Sequence, residues 1–151
     1  MKTRTVTVTS DFPASIDVIW EKLQSLKTLQ HIASPYAKFQ PVGNTEQIWR
    51  EGQTSEFNLK LFYFIPMGIH TIEIIQFDKT ALTIYSNERN IMVPIWNHRI
   101  TLRRISDDKT HYSDEVEVFA GWKTPFVYAW SKAFYKHRQR KWIELLKNMS
   151  R

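Results

Sequence analysis

The clearest hydrophobic pattern is a period-two alternation between residues 96 and 118, on both sides of Asp107-Asp108-Lys109. If the chain turns at these three residues, one face of the hairpin collects mostly apolar side chains, and the other collects arginine, hydroxyl and glutamate side chains with Arg99 opposite Glu117. Such alternation is typical of a half-buried antiparallel ribbon. The inner face comprises Trp96, His98, Ile100, Leu102, Tyr112, Asp114, Val116 and Val118.

Similar patterns predict the rest of the chain as strands and helices separated by glycine, proline and aspartate breaks. Pro13 opens a first predicted helix, which continues with Ile16, Ile19, Trp20 and Leu23 at helical spacing, and a second helix covers residues 26–32. Residues 87–94 are predicted to be an irregular connection. The predicted strands cover residues 3–9, 46–51, 55–64, 67–77, 81–87, 97–105 and 111–119.

Thr124 and Pro125 are capping and first-turn signals for a last helix that runs to residue 149. A helix of about 24 residues spans roughly 36 Å, which is long enough to cross a small domain. Its predicted inner stripe comprises Phe126, Trp130, Phe134, His137, Arg138, Lys141 and Leu145, with Trp142 at the margin.

This order of elements predicts an α+β fold in which a seven-stranded curved antiparallel sheet wraps around the long C-terminal helix. We expect a single domain over residues 1–151. Because curvature holds the sheet and the helix apart, we also expect a cavity between them.

Composition narrows the function classes. The absence of cysteine excludes disulfides and thiolate chemistry and suits a reducing cytoplasm, which is the predicted location. The N-terminus does not resemble a signal peptide, and no segment reaches the roughly 18 consecutive apolar residues of a membrane span. The net charge of +6 comes from scattered basic residues and one cluster at residues 136–141, without a nucleic-acid-binding motif, so we expect no nucleic-acid partner.

The chain resembles the SRPBCC superfamily, the helix-grip fold shared by START domains, birch-pollen-allergen-like proteins and polyketide cyclases. The likeness covers essentially the whole chain and begins with DFPASIDVIWEKLQSLKTLQHIASP. A bacterial subgroup has Trp-x-His-x-His on its sixth strand, and this chain departs from it at Ile100, where the subgroup has the second histidine. The subgroup's other motif positions are similar to Trp96, His98, Thr110, Asp114, Phe134 and Arg138.

The resemblance implies that the cavity binds a small hydrophobic molecule, either lipid-like or aromatic and polyketide-like. Because some relatives are enzymes, it leaves a cyclase- or dehydratase-type enzyme with His98 as acid/base as the alternative. A third alternative is an interaction module whose basic helix face meets an acidic partner or a membrane surface.

His98, Asp114 and Arg138 are the candidate polar site, because polar groups among apolar ones must be paired or must serve a ligand. The assumed turn offsets His98 from Asp114 by two residue pairs, so direct contact is not expected. Three interpretations stay open for the site: an Arg138–Asp114 clamp that joins helix to sheet, an anchor for a ligand, and proton transfer by His98.

The remaining candidate ligand-binding residues are large apolar side chains, although the inward faces of the third and fourth strands stay open. They are Trp49, Phe57, Tyr63, Ile72, Ile74, Tyr85, Trp96, Trp130 and Phe134. The other histidines have no metal-ligand spacing, and no phosphate-binding loop is present, so we expect neither a metal nor a cofactor.

Overall fold

A computed structural model describes residues 2–149 and shows one seven-stranded antiparallel sheet with a long C-terminal helix. Met1, Ser150 and Arg151, which belong to the predicted domain, lie outside the described residues. The strand order is β1-β7-β6-β5-β4-β3-β2, so β1 and β2 form the edges. The predicted helix-grip architecture is therefore confirmed. The strands are β1 (Arg4–Phe12), β2 (Ala37–Pro41), β3 (Thr54–Leu61), β4 (Ile65–Asp78), β5 (Thr83–Arg89), β6 (Ile95–Ser106) and β7 (Lys109–Phe119).

Two short helices, α1 (Ile16–Leu23) and α2 (Leu26–Ala33), follow β1 as predicted. The first begins later than expected, because Ser15 is its N-cap and accepts a hydrogen bond from the Val18 amide at 3.3 Å. Pro13 therefore precedes α1 and is not part of its first turn.

The prediction of a strand at residues 46–51 is wrong. That segment is a loop whose Ile48 forms only an isolated bridge with Ser25. The edge strand is the earlier β2, where Ala37 and Phe39 are buried and Lys38 and Gln40 are exposed. Its Pro41 lacks a backbone N–H, which is tolerated at the end of an edge strand.

The β6–β7 hairpin has the predicted inner and outer faces, but its register differs by two residues. Its turn comprises only Asp107 and Asp108, and a bulge between Arg104 and Ser106 absorbs the extra residue. An even shift keeps every side chain on its predicted face and changes its partner. Arg99 therefore pairs with Glu115 and not with Glu117.

The same shift moves the two polar residues of the inner face closer together. His98 lies opposite Val116, and Asp114 lies opposite Ile100. The two residues are therefore diagonal neighbours on the same face of adjacent strands, close enough for the imidazole to contact the carboxylate.

The long helix α3 (Thr124–Met149) has a different inner stripe from the one predicted. Phe134 and Arg138 are buried as expected, whereas Phe126 is 70% exposed. Polar side chains explain the difference, because Ser131 and Gln139 face inward and donate hydrogen bonds to backbone carbonyls. The buried residues of α3 are Thr124, Ser131, Phe134, Tyr135, Arg138, Gln139, Trp142 and Leu146.

Buried apolar side chains form two clusters on the inner face of the sheet. One is centred on β2, β3, β4 and the first half of α3. The other surrounds Trp142, which stacks on Phe12 and lies tilted by 46° against Tyr112. Within residues 2–149, no helix has both the length and the apolar character needed to cross a membrane.

Candidate functional site

A cavity of about 550 Å³ lies between the inner face of the sheet and α3. At one end it is lined by Trp122 and Phe126, which are 80% and 70% exposed, and at the other by Trp142, which is completely buried. Because these residues lie on successive turns leading into and along α3, the cavity extends from the surface into the domain beside this helix. Its volume falls in the range of small-molecule sites.

Most residues predicted to bind ligand line this cavity. They come from β4, β6, α3 and the loop before β3, and their side chains meet because alternate strand positions point to the same face. The predicted residues on the wall are Trp49, Ile72, Ile74, Trp96, His98, Trp130, Phe134 and Arg138.

Two predicted wall residues lie elsewhere, so the prediction is wrong for them. Tyr63 follows the end of β3 and is 53% exposed, and its hydroxyl contacts that of Ser34. Tyr85 points to the outer face of β5, where the guanidinium of Arg99 lies 4.5 Å from its ring centroid.

Two other predicted residues stand behind the wall. Phe57 is fully buried and packs against Phe39 and Trp49, so it supports the cavity without lining it. Asp114 is 1% exposed and lies behind His98.

His98 and Asp114 form a direct buried pair, which corrects the expectation that they do not touch. Nε2 of His98 donates a hydrogen bond to Oδ1 of Asp114 across 2.6 Å. The other ring nitrogen, Nδ1, lies 3.8 Å from Oε2 of Glu88, beyond hydrogen-bonding distance. Asp114 therefore fixes the orientation of an imidazole whose second nitrogen is not hydrogen-bonded to any described residue.

Three side chains donate to the Asp114 carboxylate. Besides His98, the Tyr112 hydroxyl donates to Oδ1 at 3.3 Å and the Gln139 amide donates to Oδ2 at 3.0 Å. Burial alone would raise the pKa of Asp114, but the hydrogen bond and charge of His98, the charge of Arg138 and the bond from Gln139 lower it below its usual value. Asp114 is thus a buried carboxylate held in its ionised form.

A second buried pair extends this polar wall along β4 and β5. Asn90 accepts hydrogen bonds from the Met92 and Val93 amides through Oδ1, so its Nδ2 faces His70 and donates to Nδ1 across 3.0 Å. Since Nδ1 of His70 accepts, its Nε2 holds the proton and donates to Oε1 of Glu88 at 2.9 Å.

Glu88 connects the two pairs. Its Oε2 accepts a hydrogen bond from Ser86 at 2.8 Å and faces His98. Burial would raise the pKa of Glu88, whereas the hydrogen bond from His70, the electrostatic interactions with His70 and His98, and the hydrogen bond from Ser86 lower it. His70, Glu88 and His98 all line the cavity, which gives its apolar wall one polar stripe.

Sequence reasoning missed His70 and Glu88 as site residues. A signal was present, because His70 shares the inward face of β4 with Ile72 and Ile74, and Glu88 shares that of β5 with Ile84 and Ser86. His70 was overlooked because the inward face of β4 was left open, and Glu88 because it fell in the predicted irregular connection at residues 87–94.

Arg138 does not form the Asp114 clamp that the sequence suggested. Among residues 2–149 it makes no ion pair or hydrogen bond, although it is only 6% exposed. Its guanidinium lies 5.0 Å from the Tyr135 ring centroid and 5.6 Å from that of Phe134. Burial opposes its charge, but neighbouring acidic groups, including Tyr135, Asp114 and Glu88, raise its pKa above the usual value.

The basic cluster at residues 136–141 is not a continuous exposed surface, because Arg138 and Gln139 point inward. The part of the chain that the structure describes contains no group of three or more side chains able to hold a metal ion.

Comparison with solved structures shows the fold. A START superfamily protein from Mycobacterium smegmatis superposes with a TM-score of 0.74 at 10% identity, over 96% of this chain and 98% of that one. The Zhui aromatase/cyclase from Streptomyces sp. R1128 has a TM-score of 0.71 at 13% identity, over 99% of this chain and 97% of the other. Norcoclaurine synthase from Thalictrum flavum, in complex with dopamine and hydroxybenzaldehyde, has a TM-score of 0.69 at 13% identity, over 97% of this chain and 88% of that one.

These similarities are those of the helix-grip fold of START and polyketide cyclase proteins, as the sequence resemblance implied. Sequence comparison finds no match among curated proteins. A family model described as a domain of unknown function, DUF8410, matches residues 10–146, so the chain belongs to the DUF8410 family.

Proposed function

We propose that this protein is an intracellular carrier or sensor that binds one small hydrophobic molecule between its sheet and α3. The observation that supports this proposal most strongly is the cavity of about 550 Å³. A domain of this size ordinarily packs its interior with few voids larger than a water molecule. A hollow this large destabilises a fold unless something fills it, because its lining loses dispersion contacts.

The chemistry of the wall indicates the kind of molecule. Indole, phenyl and aliphatic side chains supply most of the lining. The charged and imidazole groups on the wall are few: the stripe of His70, Glu88 and His98, then Arg138, and Lys123 beside Trp122. Apolar walls with a few fixed polar groups are typical of sites that bind by burial and orient their ligand by hydrogen bonds. A lipid-like molecule or an aromatic, polyketide-like molecule meets these requirements.

Native mass spectrometry of freshly purified protein tests the proposal. We expect either a co-purified small molecule or one-to-one binding of 1-aminoanthracene, a neutral aromatic probe that becomes fluorescent in apolar sites. Ile72→Trp fills the cavity from β4 and should abolish probe binding, whereas the control Thr71→Trp adds the same ring to the outer face and should not. A native protein that binds no apolar probe would contradict the proposal.

One observation favours a second candidate function, that of an acid/base enzyme. Asp114 holds the His98 ring at Nε2, and the ring lines the cavity with Nδ1 unbonded. An oriented imidazole in a cavity is equipped to remove a proton from a bound substrate. In this function His98 would act as the general base and Asp114 would position it.

Deuterium exchange separates the enzyme from the carrier. An enzyme of this kind should accelerate exchange at the carbon next to the carbonyl of 2-tetralone in D₂O, and His98→Gln should remove the acceleration. The control His111→Gln changes a histidine that pairs with Asp11 on the surface and should keep it. Exchange at the buffer rate in the native protein would leave the carrier as the function.

A further inference from the structure

We propose that the ligand is an amphipathic carboxylic acid whose carboxylate enters the cavity and binds the guanidinium of Arg138. This inference rests on the proposed function, since it specifies the chemical class of the molecule in the same cavity. The unused hydrogen-bond donors of α3 support it, since the carrier function alone does not explain them.

The first observation is that Arg138 is buried, lines the cavity and lacks a partner. Its Nε has no acceptor, and no hydrogen bond or ion pair joins the side chain to any residue between 2 and 149. Arginine keeps its charge at all ordinary pH values. A buried, unpaired cation is costly, so proteins nearly always supply a partner for it.

The second observation is that the neighbouring acids are already engaged. Asp114 accepts from His98, Tyr112 and Gln139, and Glu88 accepts from His70 and Ser86. Both carboxylates belong to networks anchored in the sheet, and neither is within ion-pair distance of Arg138. The guanidinium is therefore available to a partner from outside the chain.

The third observation is an excess of donors along α3. The indole N–H groups of Trp130 and Trp142 are also buried without an acceptor, and both side chains line the cavity. Trp130, Arg138 and Trp142 all point to the cavity side of α3, since all three line the cavity and each step of four residues turns the side chain by only about 40°. Buried indoles usually find an acceptor, and a carboxylate offers acceptors only.

The position of Arg138 sets the orientation of the ligand. It lies twelve residues beyond Phe126, or about 18 Å along the axis at 1.5 Å per residue. Since Phe126 and Trp122 are exposed at the outer end, the charged end of the ligand points inward and its apolar body fills the space towards the surface. A single guanidinium pairs with a single carboxylate through two parallel hydrogen bonds.

Displacement of bound 1-aminoanthracene by matched acids and alcohols tests the inference. The competitors are decanoate against decanol and 1-naphthaleneacetate against 1-naphthaleneethanol, so each pair shares one carbon skeleton. The proteins are the native chain, Arg138→Met, Arg138→Lys and the control Arg140→Met, which removes one charge from the exposed face of the same helix.

We expect at least one acid to displace the probe from the native protein at about 10-fold or more lower concentration than its alcohol, as charge-assisted hydrogen bonds predict. The ratio of the alcohol concentration to the acid concentration needed for displacement should fall to about one in Arg138→Met and remain unchanged in Arg140→Met. It should be intermediate in Arg138→Lys, because lysine keeps the charge but cannot form two parallel hydrogen bonds.

Three results distinguish the inference from the proposed function. If the probe binds the native protein but acids and alcohols compete equally, the carboxylate inference is wrong and the carrier function stands. If the acid preference is lost equally in Arg140→Met, it reflects the net charge of the protein, and the role of Arg138 is likewise overturned. If the probe does not bind the native protein, the proposed function itself fails.

Discussion

Removal of the Asp114 carboxylate should destabilise the fold strongly, because the side chain is 1% exposed and accepts from three donors. In Asp114→Ala, His98, Tyr112 and Gln139 all lose this acceptor, although Gln139 keeps its bond to the Val8 carbonyl. An unsatisfied buried group costs about 1–3 kcal/mol, and breaking a buried charged pair costs about 3–5 kcal/mol. Because the losses at the three donors are not additive, we expect a total decrease of about 3–5 kcal/mol in the free energy of unfolding.

Urea unfolding followed by tryptophan fluorescence at neutral pH measures this loss. With a slope of about 2 kcal/mol per molar urea, the midpoint should fall by about 1.5–2.5 M. The control Glu115→Ala changes the next residue, which points to solvent, and should stay within about 0.5 kcal/mol of the native chain.

The same comparison repeated in acid tests the electrostatic part of the reasoning. Because the folded pKa of Asp114 is lowered, its contribution is complete above the unfolded pKa of about 3.9 and is lost as pH falls through the folded value. The gap between native protein and Asp114→Ala should therefore narrow with acidification. A loss below about 1 kcal/mol at neutral pH, or a gap that widens in acid, would contradict the assignment of Asp114 as a buried, ionised acceptor.

Three further outcomes are expected. Glu88→Gln should lower the free energy of unfolding at neutral pH and should make that free energy fall less steeply as the pH drops below about 4. The reason is that the pKa of Glu88 is lowered in the folded protein, so the native chain takes up a proton on unfolding in this range. A urea titration that gave the same pH profile for both proteins would count against this. Trp142→Ala should cost about 3–5 kcal/mol by calorimetry, whereas Trp122→Ala, on the exposed ring, should cost under about 0.5 kcal/mol; equal losses would contradict the placement of the two rings. Gly52→Ala should cost about 1–2 kcal/mol in unfolding free energy because φ is +85° at residue 52, and a neutral effect would be inconsistent with that conformation.

The faces of the β6–β7 hairpin were predictable because side chains alternate with a period of two, which the sequence displays directly. The register was not, because it depends on whether the turn holds two residues or three and on a bulge at residue 105. One consequence was functional, since the shift turned His98 and Asp114 from separate residues into a bonded pair.

The inner stripe of α3 illustrates a second limit. Hydrophobic periodicity correctly identified Phe134, but Gln139 is buried because its amide reaches the Val8 carbonyl and Asp114. Such partners lie more than twenty residues away in the sequence, so a local pattern contains no information about them. For the same reason, Arg138 was found as a site residue while its lack of a partner could be seen only in the structure.

The edge strand β2 was missed because it has only five residues, begins two residues after Pro35 and ends at Pro41. The adjacent apolar residues Ile48 and Trp49 drew the prediction to residues 46–51, a segment that instead packs as a loop, with Trp49 on the cavity wall. Short strands are decided by the neighbour that they pair with more than by their own sequence.

A crystal structure of the protein soaked with 1-naphthaleneacetate would show where the carboxylate of a bound ligand lies. We expect density for the ring system between the sheet and α3, with both carboxylate oxygens within hydrogen-bonding distance of the Arg138 guanidinium. An interior packed without a void, or a ligand bound with its carboxylate turned away from Arg138, would contradict this expectation.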